Sequence, residues 1–257
     1  MYKTISVEEK WSNQVIELRL NVPPANILTK QMMDELEKAL AQAVKVRTLK
    51  ALVIAAQGQH FSFGASVEEH LPGKVNEMLP AFHRLIGLIL ESPVPTFAKV
   101  SGLCLGGGFE LAIACSFVFA DETAKFAVPE IQIGVFPPVA AALLPGSFPM
   151  ALVHRMILTG TKVGADELFR HGLIHSVSKP GSLESDCLEY LQKEILPKSA
   201  SSLRLAHHAI QMTRIEHYKK VIGRLEEFYL KQLMATEDAV EGIQSFIEKR
   251  SPKWRDA

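Results

Sequence analysis

Apolar and polar residues alternate from Val15 to Leu20 behind a turn at Ser12-Asn13, which predicts a half-buried strand paired in a hairpin with the segment before it. Thr29 is placed to cap a helix on which Met33, Leu36, Leu40 and Ala43 recur at helical spacing, and the β-rich run Ala51 to Ala56 follows. The cycle then repeats. Leu79, Phe82, Leu85, Ile86 and Ile89 mark a second helix, Ser92-Pro93-Val94-Pro95 ends it, and Thr96 to Val100 is the next strand. A third helix is expected to start within Gly106-Gly107-Gly108 and to cover Glu110 to Cys115, with short strands near Phe117 to Ala120 and Lys125 to Ala127. Repeated strand and helix units predict a layered α/β fold.

From about Ser201 the texture turns helical. Ile222, Leu225, Tyr229 and Leu233 form one stripe, and Val240, Ile243, Phe246 and Ile247 another, so both faces must dock on the core or on another subunit. Asp238 with Glu241 three residues later predicts a capping-box-like start for the last helix. The pattern divides the chain into a core at 1–200 and a helical region at 201–257.

Composition narrows the function classes more than the fold. Lys plus Arg and Asp plus Glu balance at 28 each, so net charge gives no footprint for nucleic acid or an anionic membrane surface. Cys104, Cys115 and Cys187 have neither metal-type spacing nor an even-numbered disulfide framework, which predicts reduced thiols and a cytoplasmic setting. The N-terminus lacks a signal-like apolar stretch, and apolar runs such as Val135 to Leu144 are short and broken by Pro137 and Pro138. No membrane partner is expected.

Two stretches place small residues at strand ends: His60-Phe61-Ser62-Phe63-Gly64-Ala65-Ser66 and Gly102-Leu103-Cys104-Leu105-Gly106-Gly107-Gly108-Phe109-Glu110. Glycines let a ligand approach the backbone, and free N–H groups at a helix start are donors to an oxygen gaining charge. Tight turns and helix-to-sheet packing explain the same glycines equally well. Glu110 and Glu130 lie twenty residues apart, so only tertiary structure can pair them. Their apolar neighbours Phe109, Leu111, Ile131 and Val135 would desolvate a carboxylate and raise its pKa toward an acid/base range. A solvated charge, or simple complementarity of Glu110 to a helix N-terminus, is the plainer alternative.

Other chemistries find little support. His171 and His175 flank Gly172, which is expected to end a helix, and no HExxH pattern is present, so no metal site is expected. His207 and His208 are adjacent on a helix and point apart. Neither a GxSxG nucleophile elbow nor a GxxxxGK[ST] phosphate loop occurs.

Over nearly its whole length the chain resembles the crotonase, or enoyl-CoA hydratase, superfamily. The resemblance rests on Phe61-Ser62-Phe63-Gly64-Ala65, Gly106-Gly107-Gly108-Phe109-Glu110-Leu111 and Phe126-Ala127-Val128-Pro129-Glu130-Ile131 with Gly134. Leu158-Thr159-Gly160, Gly172-Leu173-Ile174 and the segment from Glu241-Gly242 to Phe246-Ile247-Glu248-Lys249-Arg250 also fit. It implies a spiral of β-β-α turns with a helical C-terminal region, assembled as a homotrimer or homohexamer. Ala65 and Gly107 would supply oxyanion-hole N–H groups, and Glu110 and Glu130 would be the catalytic pair. The implied activity is addition of water to an unsaturated acyl-CoA thioester, with coenzyme A carried by the substrate and no metal or redox cofactor. Isomerase, decarboxylase, hydrolase and non-catalytic acyl-CoA- or RNA-binding relatives are the alternatives.

Two departures from the common hydratase pattern bear on substrate. Ser66 stands where an acidic residue often follows the oxyanion-hole alanine, and Phe136-Pro137-Pro138-Val139-Ala140-Ala141 replaces a glycine-rich stretch. With Pro23-Pro24-Ala25-Asn26-Ile27-Leu28, these make the chain most similar to hydratases of cyclic dienoyl-CoA thioesters in anaerobic aromatic degradation. Prolines fix φ and remove N–H donors, so a stiff, apolar pocket wall is expected. Ser66, Val67, Phe136, Pro137 and Pro138 are the expected substrate contacts. Asn26, Phe246 and Lys249 are the expected coenzyme A contacts, the last two, three apart on a helix and so on one face, meeting its adenine and phosphate end in the same or a neighbouring subunit.

Overall fold

The computed structural model describes residues 2–256. The hairpin joins β1 (Ile5–Lys10) to β2 (Val15–Leu20), with Trp11, Ser12 and Asn13 all at positive φ in the turn. Strand β3 (Ala51–Ala56) then pairs with β2 in parallel, followed by β4 (Thr96–Val100), β6 (Phe117–Asp121) and β9 (Ser176–Ser178), so the main sheet reads β1-β2-β3-β4-β6-β9. Between successive strands the chain climbs through helices. These are α1 (Lys30–Ala43), whose Thr29 cap accepts the Met32 N–H, α2 (Val75–Leu90) and α3 (Gly107–Ala114).

A second, smaller layer positions the functional segments. Strands β5 (Leu103–Leu105), β7 (Lys125–Ala127) and β8 (Val163–Gly164) form a three-stranded sheet, and isolated pairings Ser62 with Cys104 and Leu28 with Ala65 extend it. Ser62, Cys104 and Phe126 therefore sit on adjacent rungs. Because each turn of the spiral adds a rung, segments about forty and twenty residues apart in sequence end side by side.

Both faces of the main sheet are covered, which corrects the reading of β2 as half-buried. On one side the core includes Leu18, Leu20, Met33, Leu36, Phe82 and Ile86. On the other, Val15, Val53, Phe97 and Phe119 pack beneath Cys187 and Leu191, contributed by α7 (Leu183–Tyr190) and the turn after it. Parallel sheets are ordinarily buried this way. Glu17 on β2 is consequently only 1% exposed, and it survives there by pairing with Lys99 of β4 at 2.8 Å and with Arg19.

Short helices α4 (Pro138–Leu143), α5 (Met150–Thr159) and α6 (Ala165–Arg170) follow, then α8 (Ala200–Lys231) and α9 (Glu237–Ile247). Helix α8 docks on α2 and α4, with the Tyr218 hydroxyl donating to the His83 carbonyl at 2.8 Å. The start of α9 differs from the expected capping box. Thr236 is the cap, accepting the Ala239 N–H, while the Asp238 carboxylate accepts the N–H groups of Arg255 and Asp256 instead. All three cysteines are buried and free. Among the described residues no helix is long and apolar enough to cross a membrane.

Candidate active site

A cavity of about 510 Å³ opens where the small sheet, α3, α4, α8 and α9 meet. Its lining includes Ala65, Gly107, Glu110 and Glu130, so the spiral brings together the four residues singled out for chemistry. Glycine geometry explains why they fit. Gly64 (φ 100°) packs so closely that a Cβ there would meet the Leu105 carbonyl oxygen at 2.9 Å and Gly107 N at 3.2 Å. A Cβ on Gly107 would in turn lie 3.2 Å from Ala65 N, so the two backbone nitrogens are neighbours. Among the described residues neither N–H has a backbone or side-chain acceptor. Free donors side by side at a cavity wall are suited to an oxygen that gains negative charge.

Glu110 enters from the first turn of α3 and is 3% exposed. Its Oε1 accepts the Ala140 N–H at 2.8 Å, from the first turn of α4. Pro138 opens that helix, and lacking an N–H it leaves Val139 and Ala140 as the first donors. Burial raises the Glu110 carboxyl to about 7, while the Ala140 and Val139 N–H groups pull in the opposite direction. Glu130 sits on the short turn Pro129–Ile133, closed by Gly134 at φ 72°. The residue as a whole is only half-buried, yet its Oε2 is shielded from solvent and, among the described residues, has no hydrogen-bond partner. Burial first, and the Glu110 charge second, hold its carboxyl well above the usual carboxylate range. Two coupled carboxyls with unequal support can share one proton, the state an acid/base pair requires.

The family model described as enoyl-CoA hydratase/isomerase matches residues 10–257. The chain belongs to the enoyl-CoA hydratase/isomerase family. It is 39% identical over 242 residues to a cyclohexa-1,5-dienecarbonyl-CoA hydratase of Thauera aromatica, covering 94% of this chain and 93% of that protein. It is 29% identical over 248 residues to a carnitinyl-CoA dehydratase of Salmonella enteritidis, covering 94% and 95%. An enoyl-CoA hydratase structure from Mycobacterium avium subsp. paratuberculosis superposes with a TM-score of 0.87 at 25% identity, each chain covered fully. The β-β-α spiral with its helical C-terminal region is thus the crotonase fold of the family.

Within this family site, the peripheral expectations fare unevenly. Val67, Phe136, Pro137 and Pro138 line the cavity, and Phe136 is braced against the Tyr229 ring at 5.3 Å between centroids. Ser66 does not line it; its backbone is tied to Leu28, Glu69 and His70 at the start of a short turn. Asn26 is corrected outright as a coenzyme A contact. It is fully buried and off the cavity lining, and its side chain accepts the Val22 N–H and donates to the carbonyls of Gln57 and His60. Phe246 lines the cavity mouth and is 56% exposed, but Lys249 does not line the cavity. Helix α9 ends at Ile247 and Lys249 has φ 56°, so helical spacing no longer aligns it with Phe246. Arg250 lines the cavity instead, though Glu241 holds it at 2.8 Å.

Among the cavity residues that sequence reasoning passed over, three carry titratable side chains. His70 lines the wall with Nδ1 2.8 Å from the Ser66 carbonyl, and burial lowers its pKa. Lys162 is exposed at the cavity and, among the described residues, has no carboxylate within ion-pair distance. Tyr229, read as part of an apolar stripe, presents a buried hydroxyl. No motif flagged any of them.

Proposed function

We propose that this chain adds water to the conjugated double bond of an enoyl-CoA thioester. The observation that carries the reading is the pair of buried, unequally supported carboxyls, Glu110 and Glu130, in one cavity with the free N–H groups of Ala65 and Gly107. Glu110, with two N–H donors favouring its ionised form, takes a proton from water as the oxygen attacks the β-carbon. The electron pair moves through the double bond onto the thioester oxygen, which accepts the Ala65 and Gly107 N–H groups. Glu130, kept protonated by burial, delivers its proton to the α-carbon, and the carbonyl reforms. One water is consumed, and the chemistry calls for no metal or redox cofactor. By microscopic reversibility the same groups dehydrate a hydroxyacyl-CoA, in keeping with the dehydratase name among the relatives.

For substrate, we read cyclohexa-1,5-diene-1-carbonyl-CoA, in anaerobic aromatic degradation. Support comes from the Thauera aromatica relative and from the wall of Phe136, Pro137 and Pro138. A stiff apolar wall suits a flat ring better than a long flexible chain. The test is kcat/KM across cyclic dienoyl-CoA, crotonyl-CoA and longer linear enoyl-CoA esters. A preference for the ring of roughly ten- to two-hundredfold is expected from pocket shape alone. Equal or better use of the linear esters would overturn the substrate reading and leave hydration standing.

The buried free thiols fit a reducing cytoplasmic setting, and the exposed Leu205 and Ile210 on α8 fit burial against further copies of the chain in a trimer or hexamer. Light scattering showing a monomer would remove the assembly.

A further inference from the structure

Tyr229 is 1% exposed and sits on α8, its ring held by Phe136. Tyr229 lines the cavity, and its hydroxyl is shut off from solvent with no hydrogen-bond partner among the described residues. An unmade hydrogen bond on a buried hydroxyl is destabilising, so such groups in native proteins call for an explanation. A phenylalanine would fill the same space without that penalty. The same cavity holds a second orphan, Glu130 Oε2, and the two do not satisfy each other. A donor and an acceptor, both dry, both unpartnered among the described residues and both on side chains that line one cavity, suit a small polar atom supplied from outside the protein.

Resting on the hydration reading, we propose that the Tyr229 hydroxyl is a third anchor for the oxygen that this site adds: the water before attack and the product hydroxyl afterwards. The four tetrahedral directions of a water molecule give the arrangement its logic. Two hydrogens point to the carboxyl groups, one lone pair accepts the Tyr229 O–H, and the remaining lone pair is left to face the β-carbon. Tyr229 keeps its proton throughout. Burial, with Glu130 and Glu110 close by, pushes the phenol above its ordinary value, so it serves as a neutral donor. Nothing is transferred through it, and the proton inventory of the reaction is unchanged.

The test is Tyr229→Phe, which retains the ring against Phe136. Because the lost hydroxyl has no protein partner among the described residues, the variant should melt at or above the wild-type temperature. Hydration kcat should fall roughly tenfold with KM nearly unchanged, the scale of one hydrogen bond. Calorimetric titration supplies a reading independent of turnover. Wild type should bind the β-hydroxyacyl-CoA product more tightly than the saturated acyl-CoA lacking the hydroxyl, and the variant should lose that preference while binding the saturated ester as before. Unchanged kcat and unchanged product preference would overturn the proposal. So would equal weakening of both ligands together with a lower melting temperature, which would make Tyr229 structural. If wild type hydrates no ester, the hydratase reading fails on its own, and the binding preference still decides whether Tyr229 recognises a hydroxyl.

Discussion

The Ala140 N–H donates to Glu110 Oε1 across 2.8 Å, tying one carboxyl of the buried pair to the N-terminus of α4. Glu130 has no counterpart to this bond on its Oε2. The pair is therefore asymmetric before any substrate enters, and this asymmetry is what the proposed hydration rests on in giving Glu110 the role of base and Glu130 that of acid.

Stability should record the burial of both groups. Each carboxyl is raised in the folded state, so the unfolded chain binds fewer protons at intermediate pH. The stability they contribute is fully present below the unfolded value near 4.5 and is lost as pH rises through about 7, the folded value for Glu110. Glu110→Gln should accordingly melt higher than wild type at alkaline pH, by about 2 to 4 °C for each kcal/mol relieved, and show little gain in acid. Thermal melts across this pH range check it; a Gln variant less stable than wild type at every pH would contradict it.

Gly106 has φ 50° and ψ −127°, a backbone state that side chains rarely tolerate, and a Cβ there would meet Glu130 Oε1 at 2.7 Å. Gly106→Ala should thus displace the acid as well as strain the turn. Turnover should drop on the order of a hundredfold, the usual cost of a misplaced reacting group, with a smaller change in KM. Steady-state kinetics on folded variant decides it, and near-normal kcat would show that Glu130 does not need its present position.

Much of this was legible in the chain. The Thr29 cap, the stripe Met33-Leu36-Leu40-Ala43 and the strands Ala51–Ala56 and Thr96–Val100 form as their local patterns direct. Glu17 misled because alternation sees one neighbour strand at a time, whereas α7 buries the second face from far along the chain. Asn26 is closed off mainly by tertiary structure: two of its three side-chain bonds reach the distant carbonyls of Gln57 and His60, and the third takes the nearby Val22 N–H. Lys249 lies off this chain's own cavity for a local reason, since the helix that would have aligned it with Phe246 stops at Ile247. Tyr229 was hidden by its own ring, which fits an apolar stripe whatever its hydroxyl does.

The rim cations separate binding from structure. Lys162 lines the cavity without a carboxylate partner among the described residues, so it is the side chain expected to meet a coenzyme A phosphate. Lys162→Ala should raise KM by roughly three- to tenfold with kcat unchanged, because the contact is made equally in ground and transition states. Lys249→Ala should leave both constants within about twofold, as expected of a residue off the cavity. Asn26→Ala should instead lower the melting temperature, because it strands buried backbone groups. A KM effect confined to Lys249 would reverse the assignment.

The most direct test of hydration follows the oxygen atom itself. Purified enzyme is incubated with an enoyl-CoA ester in heavy-oxygen water, and the product is read by mass spectrometry alongside Glu110→Gln and Glu130→Gln. Hydration requires one labelled oxygen in the acyl hydroxyl and, in folded variants that still bind the ester, a rate lower by at least roughly a hundredfold. An unlabelled isomer of the substrate, free coenzyme A, or undiminished turnover in either variant would contradict it.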